Sequence, residues 1–347
     1  MRKNNNATTS ETLQQVCSTA VPPQTKAELR PEPDGYVVGV DIGGTSLRMA
    51  LTDMSGNILA KWSSTTVGVH DPEFVIQRIY EGVKQMLLQI AASADSLKSI
   101  AIGVPGVTNS DDGTVIATSY LMGWRNVPLR ALVEEALKIP AAIDNDVNLA
   151  AIGESWTGAA TNVQDFVFLA IGTGLGAGIV LNGRPYRGHH WSAGEIGYLL
   201  VPGITCGPKQ DGEPGALENV IGGEGIKLQW EKLRGAALPE NLNATEIFDL
   251  ALLGNPLAET ILQNSATLLA QIIYNISLVL DCPLFVLGGG VGKHPALCDA
   301  TQKILGQWKR HGRLHVVSSA LGADAQLMGA VRVALDTADA KWNESSD

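Results

Sequence analysis

The chain has 347 residues, of which 45% are hydrophobic and only 17% charged. That is enough apolar material for a large core and, by length, two domains, and it excludes a disordered or collagen-like chain. The formal net charge of -10 repels polyanions at long range, so no nucleic-acid partner is expected for the chain as a whole.

Residues 1–34 are polar, carry Pro22-Pro23 and Pro31-Glu32-Pro33, and show no periodicity, so a flexible leader is expected there. It has no apolar signal core and no amphipathic helix pair. No transmembrane run follows, and the four cysteines (Cys17, Cys206, Cys282, Cys298) include no CxxC pair. A cytoplasmic protein with no membrane partner and no disulfide framework is expected.

Order is expected from Tyr36. An apolar strand runs to Ile42, Gly43-Gly44 turns it, and Leu47, Met49 and Leu51 alternate with polar or small residues before a turn at Ser55-Gly56-Asn57. A third strand follows from Ile58. Asp71-Pro72 supplies a cap and first position for a helix whose face is Val75, Ile76, Ile79, Val83, Leu87 and Ile90. Ser99–Val104 reads as a buried strand, a helix starts near Pro128, Ala141-Ala142-Ile143 ends a short strand, and a helix follows Asp144-Asn145-Asp146 through Trp156. Alternating strands and helices make an α/β layer.

The pattern then restarts. Val167–Ile171 is a strand, Gly172-Thr173-Gly174-Leu175-Gly176 turns it, and Ala177–Leu181 returns to the hairpin turn Asn182-Gly183. Helices are expected over 256–280 and 295–308, with the buried strand 284–287 between them and Gly288-Gly289-Gly290 after it. A last helix covers about 323–342.

A glycine turn between two strands is either a tight connection or a nest whose amides point at phosphate oxygens. Two such turns can grip one triphosphate. Asp41 can order magnesium directly or through water, Thr45 and Thr173 offer hydroxyls to phosphate, and Gly288-Gly289-Gly290 lets backbone approach a nucleotide. A dinucleotide fingerprint is a poor fit: the glycines run GxGxGxG, and a strand follows them where a helix is required. The Lys-Ser/Thr that ends a P-loop is absent. Asp146 is either a general base that takes a proton from a hydroxyl or a cap for the helix near Asn148.

Together Asp41–Thr45, Gly103-Val104-Pro105-Gly106, Asn145–Asn148, Gly172–Gly176, Ala193-Gly194-Glu195-Ile196-Gly197, Leu217-Glu218 and Leu287–Val291 resemble the ROK family of repressors and sugar kinases, within the actin-type ATPase superfold. The resemblance runs from about Tyr36 to Leu335. It implies an α/β fold of two actin-like, ribonuclease H-like domains with the active site in the cleft between them: residues 35–147 plus a C-terminal helix at about 323–343 in the smaller, and 148–322 in the larger. It implies a glucokinase-like, ATP- and Mg-dependent homodimer that phosphorylates a hexose or N-acylhexosamine, with ATP held by Asp41, Gly43, Gly44, Thr45, Gly172, Thr173, Gly174, Gly288, Gly289 and Gly290. Asp146 becomes the base, and Asn145, Glu195, Tyr198 and Glu218 contact the sugar.

Four positions depart from the family pattern. Tyr198 stands where the family has a sugar- and zinc-binding histidine, and Cys206-Gly207 is all that remains of a cysteine cluster, so no structural zinc is expected. His189 and His190 lie nearby but lack cysteine partners. Tyr120-Leu121 replaces an Asn-Leu pair, and Ser46 a lysine. These changes keep a second reading open: a sugar-sensing regulator of the same family, weakly catalytic or non-catalytic, without its own DNA-binding domain.

Overall fold

The computed structural model describes residues 34–344 except 67–70, 119–120, 122, 201–214, 236–237, 240 and 309–312. The expected leader up to residue 33, Tyr120 and Cys206 lie outside the described residues. The chain opens with β1 (Tyr36–Ile42), β2 (Ser46–Asp53) and β3 (Ile58–Thr65), the expected meander, followed by α1 (Pro72–Gln89) and β4 (Leu97–Val104). The Asp71 carboxylate accepts the Glu73 N–H and caps α1. A small antiparallel sheet comes next, of β5 (Val107–Asn109), β6 (Thr114–Ala117) and β7 (Arg125–Val127), then α2 (Leu129–Leu137), β8 (Ala141–Asn145) and α3 (Asp146–Thr157).

The second half repeats the plan. It runs β9 (Phe166–Ile171), β10 (Leu175–Leu181), β11 (Arg184–Pro185), α4 (Glu218–Ile221), α5 (Gly223–Leu233), α6 (Ala244–Leu252) and α7 (Pro256–Leu280). It finishes with β12 (Leu284–Gly288), α8 (Gly289–Gly292), α9 (Pro295–Leu305), β13 (His315–Ser318) and α10 (Ala325–Glu344). The first large sheet has the order β3-β2-β1-β4-β8 and the second β11-β10-β9-β12-β13. Pairing senses match as well: each sheet starts with two antiparallel hairpin partners and ends with two parallel neighbours. The fold is α/β, built from two actin-like halves.

Each sheet is covered on both faces. In the first, Val75, Ile79, Val83 and Met86 of α1 join Val38, Val40 and Ile42 in one apolar cluster. The opposite face, with Val37, Ala50 and Ala101, is covered by Leu327, Val331, Ala334 and Leu335 of α10. All seven β1 residues are therefore buried. The second sheet packs on α5, α6, α7 and α9 through Trp230, Phe248, Ile261 and Leu297, and its other face meets Ala150 and Ala151 of α3. The helix that follows the fifth strand of each sheet thus packs on the other sheet.

These two helices, α3 and α10, cross backbone to backbone. A Cβ on Gly329 would lie 1.8 Å from the Leu149 carbonyl oxygen, and one on Gly153 would lie 2.4 Å from that of Ala325, so only glycine fits at either point. Beside the crossing, the fully buried Glu154 carboxylate accepts the Ser319 hydroxyl and the amides of Ala159, Ala320 and Leu321. The crossing is fastened to the loop that leads into α10.

Candidate active site

The β8–α3 junction sets the chemistry. Asn145 Oδ1 accepts the amides of Val147 and Asn148 at 2.8 and 3.0 Å and caps α3, while its Nδ2 donates to the Gly106 carbonyl at 2.8 Å. The cap is thus Asn145, whereas Asp146 is the first helical residue. The Asn145 Nδ2 carries a second amide hydrogen, which suits a hydroxyl acceptor. The Asp146 carboxylate accepts the Val147 N–H at 2.9 Å. Burial, the charge of Asp41 and the charge of Glu195 push its carboxyl up to about 7.

Three more carboxylates extend the line. Glu195 follows Gly194, whose φ of 96° and position against Ala177, where a Cβ would meet the carbonyl oxygen at 1.9 Å, fasten this loop to β10. Burial and Glu218 raise its carboxyl. Glu218 begins α4 and accepts the Leu175 N–H at 2.9 Å, which offsets part of the upward effect of burial. Tyr198 ends the one-turn helix Ile196–Tyr198 and is 41% exposed, so its ring stands at the mouth of this loop rather than in the core.

Asp41 is the next-to-last residue of the buried strand β1. Arg48 lies opposite it in the hairpin register, and its Nε and Nη2 both reach Asp41 Oδ2, at 3.0 and 2.6 Å. Burial nevertheless holds the Asp41 carboxyl above its ordinary value, with Arg48 opposing and Asp324 adding to the rise. In the turn beyond, the Gly43 amide donates to Ser46 O at 2.7 Å. Thr66 bonds the Gly43 carbonyl through its hydroxyl and the Thr45 carbonyl through its amide. The turn is thereby tied to the end of β3, leaving Gly44 and Thr45 exposed.

The second glycine turn lines a cavity of about 650 Å³, together with Gly223, Lys227, Asn241 and Asn243 and with Gly290 and Lys293. Gly290 has open space where a side chain would stand, which suits close approach of a nucleotide. Gly288 and Gly289 do different work. A Cβ on Gly288 would meet the Phe168 ring at 2.1 Å, and one on Gly289 the Ile171 carbonyl at 2.4 Å, so both serve packing under the turn. Gly174 closes the turn by accepting the Gly172 N–H at 3.0 Å.

The sequence reading missed Arg48, Arg187, Lys227, Lys293 and the helices α4 to α6. A four-residue hairpin turn does place residue 48 opposite residue 41, so the Asp41–Arg48 pair was recoverable. Nothing in the sequence relates Lys227 to Gly172. Among the described residues, no three His, Cys, Asp or Glu side chains are arranged to hold a metal ion, and no helix is long and apolar enough to cross a membrane.

The model of the ROK family matches residues 37–337. The chain belongs to the ROK family. It is 33% identical over 270 residues to a glucokinase of Halalkalibacterium halodurans, covering 75% of this chain and 82% of the relative. The crystal structure of a ROK family glucokinase from Streptomyces griseus in complex with glucose and AMPPNP superimposes with a TM-score of 0.71 at 26% identity, covering 87% of this chain and all of that one. A ROK family transcriptional regulator, a homolog of the E. coli MLC protein, superimposes with a TM-score of 0.77 at 25% identity over 88% of this chain and 79% of that one.

Proposed function

We propose that Asp146 of this hexokinase-type sugar kinase is the general base for transfer of the ATP γ-phosphoryl group to a hydroxyl, O6, of a hexose such as glucose or of an N-acylhexosamine. The observation that carries the reading is a half-buried Asp146 at the first position of α3, its carboxyl pushed up to about 7, beside three further acceptor-rich side chains. A carboxylate of that basicity takes a proton at neutral pH, and its helix-terminal position fixes its direction. Glu195, Glu218, Asn145 and Tyr198 orient the sugar through its vicinal hydroxyls.

On the donor side, the cavity beside Gly172, Thr173 and Gly290 takes the nucleotide, and the exposed turn Gly43-Gly44-Thr45 meets its phosphates. Asp41 suits a hard cation such as magnesium, held through water because Arg48 already occupies Oδ2. When bound, magnesium supplies charge neutralisation for the transferring group. Residues 35–147 with the C-terminal helix and residues 148–322 act as two closing domains, and closure excludes water from the acceptor hydroxyl. The protein works without a structural zinc, without a nucleic-acid partner, and as a cytoplasmic homodimer.

A sugar-responsive regulator is the competing reading, favoured by Tyr198 and by the likeness to a ROK transcriptional regulator. An ADP-release assay over glucose, mannose, fructose, allose and the N-acetylated hexosamines separates the two. Sugar-dependent turnover by the full chain, lost in Asp146→Ala, is expected. Sugar-induced thermal stabilisation with no turnover on any sugar would overturn the kinase reading in favour of the regulator.

A further inference from the structure

Asp144 is a second carboxylate at the β8–α3 junction, two residues before Asp146, and neither the donor nor the sugar side uses it. It is only 3% exposed. Its Oδ1 accepts the Asn145 amide at 2.8 Å and the Asn148 Nδ2 at 3.2 Å, which clamps the first turn of α3. Its Oδ2 receives Nε and Nη2 of Arg187 at 3.0 and 2.5 Å. Arg187 comes from the other half of the molecule, just after β11.

The main chain of Arg187 completes a bridge. Its carbonyl accepts the Ala193 N–H at 3.1 Å, closing residues 187–193 into a compact loop. The next residue, Gly194, is welded to β10 through Ala177 N–H to Gly194 O at 2.8 Å, and Glu195 follows directly. One arginine therefore holds the strand end that carries Asp146 with its guanidinium and the loop that carries Glu195 with its backbone.

We propose that Arg187 is a positioning residue which, by clamping Asp144, fixes the separation of Asp146 from Glu195 and so aligns the acceptor hydroxyl with the base. The proposal rests on reading Asp146 and Glu195 as acceptor-side residues. The Arg187 guanidinium directs two N–H groups at Asp144 Oδ2. The role is geometric, and lysine, with one ammonium in place of two converging N–H groups, fulfils it in part.

The test compares Arg187→Ala, Arg187→Lys, Asp144→Asn and the Arg187→Ala/Asp144→Asn double variant in the full chain, with Asp336→Asn on the α10 surface as control. Three quantities are measured: kcat and KM for glucose, thermal stabilisation by glucose and by mannose without nucleotide, and thermal stabilisation by ATP alone. Arg187→Ala is expected to lower kcat about 100-fold, as an ångström of misplacement does, to blunt discrimination between the two sugars, and to keep the ATP response. Arg187→Lys should recover part of kcat, and the double variant should lose no more than the worse single one. If Arg187→Ala does not fold, Arg187→Lys carries the test, because wild-type kcat and sugar discrimination in that variant would overturn the proposal. So would losses in Arg187→Ala and Asp144→Asn that multiply in the double variant. If the wild type turns over no sugar, the kinase reading fails, while the sugar-discrimination arm still decides the role of Arg187.

Discussion

The turn after β1 and the turn after β9 occupy the same place in two sheets of the same strand order, yet they are equipped differently. Asp41-Ile42-Gly43-Gly44-Thr45 begins with a carboxylate facing Arg48, whereas Ala170-Ile171-Gly172-Thr173-Gly174 has Ala170 facing Gly176 in the corresponding ladder. The first turn is tied to its own sheet by Thr66. The second is backed by a different segment, through Gly223 N–H to Gly172 O and Leu175 N–H to Glu218. Repetition thus supplies two backbone surfaces, and divergence places charge on one and a cavity on the other. The same contrast holds for the terminal helices: α3 begins with the Asn145-Asp146 pair, while α10 follows Asp324, whose carboxylate pairs with Lys61 and Arg48 at the surface.

The largest expected effect comes from removing what has no counterpart in the second half. Asp146→Ala should lower kcat by about 10³-fold, measured by ADP release. Asp146→Asn should do the same while stabilising the protein above neutral pH. Because the folded carboxyl titrates near 7 rather than at its ordinary value of 3.8, the folded chain binds more protons between those limits, and stability falls as pH rises through that window. Thermal melts at pH 5 and pH 8 read this difference, which the asparagine variant should lack. By the same shift, kcat/KM for the sugar should fall on the acid side of about 7; a flat profile down to pH 5 would remove Asp146 from the role of base.

A smaller effect is expected from making the two turns alike. Asp41→Asn should lower kcat/KM for ATP by about 100-fold, roughly 2.7 kcal/mol, and leave glucose-induced stabilisation intact. Adding Ala170→Asp should not restore it, since Gly176 offers no partner to the new carboxylate. Recovery would mean that the two turns are interchangeable. Smaller again is Gly329→Ala. Its methyl would meet the Leu149 carbonyl, and the forced separation of α3 from α10 should lower stability by about 1–3 kcal/mol, read as a drop in Tm, with kcat falling alongside if the crossing is the pivot for closure.

Much of this architecture was legible in the sequence because period and punctuation agreed. Asp71-Pro72 started α1 and Asn182-Gly183 closed the β10–β11 hairpin, with both residues at positive φ. The second large helix, 256–280, carried its cap and proline in plain view. The small sheet 107–127 escaped notice because its strands of three or four residues are too short to show alternation. Helices α5 and α6 were missed for another reason: the many glycines and polar residues around them read as loop, although Asn243 and Glu246 form a capping box. In the site, adjacent residues such as Asn145-Asp146 could be found from local pattern. Contacts such as Arg187–Asp144 depend on how two sheets face each other, and no local pattern encodes that.

The exchange of terminal helices has a consequence for synthesis. The face of the first sheet formed by Val37, Ala50 and Ala101 waits for Leu327, Val331 and Leu335, which leave the ribosome after nearly all the rest of the described chain. Until then the first half carries an uncovered apolar face, the kind of surface that chaperones bind. A chain truncated before α10 should therefore aggregate rather than yield a soluble amino-terminal half.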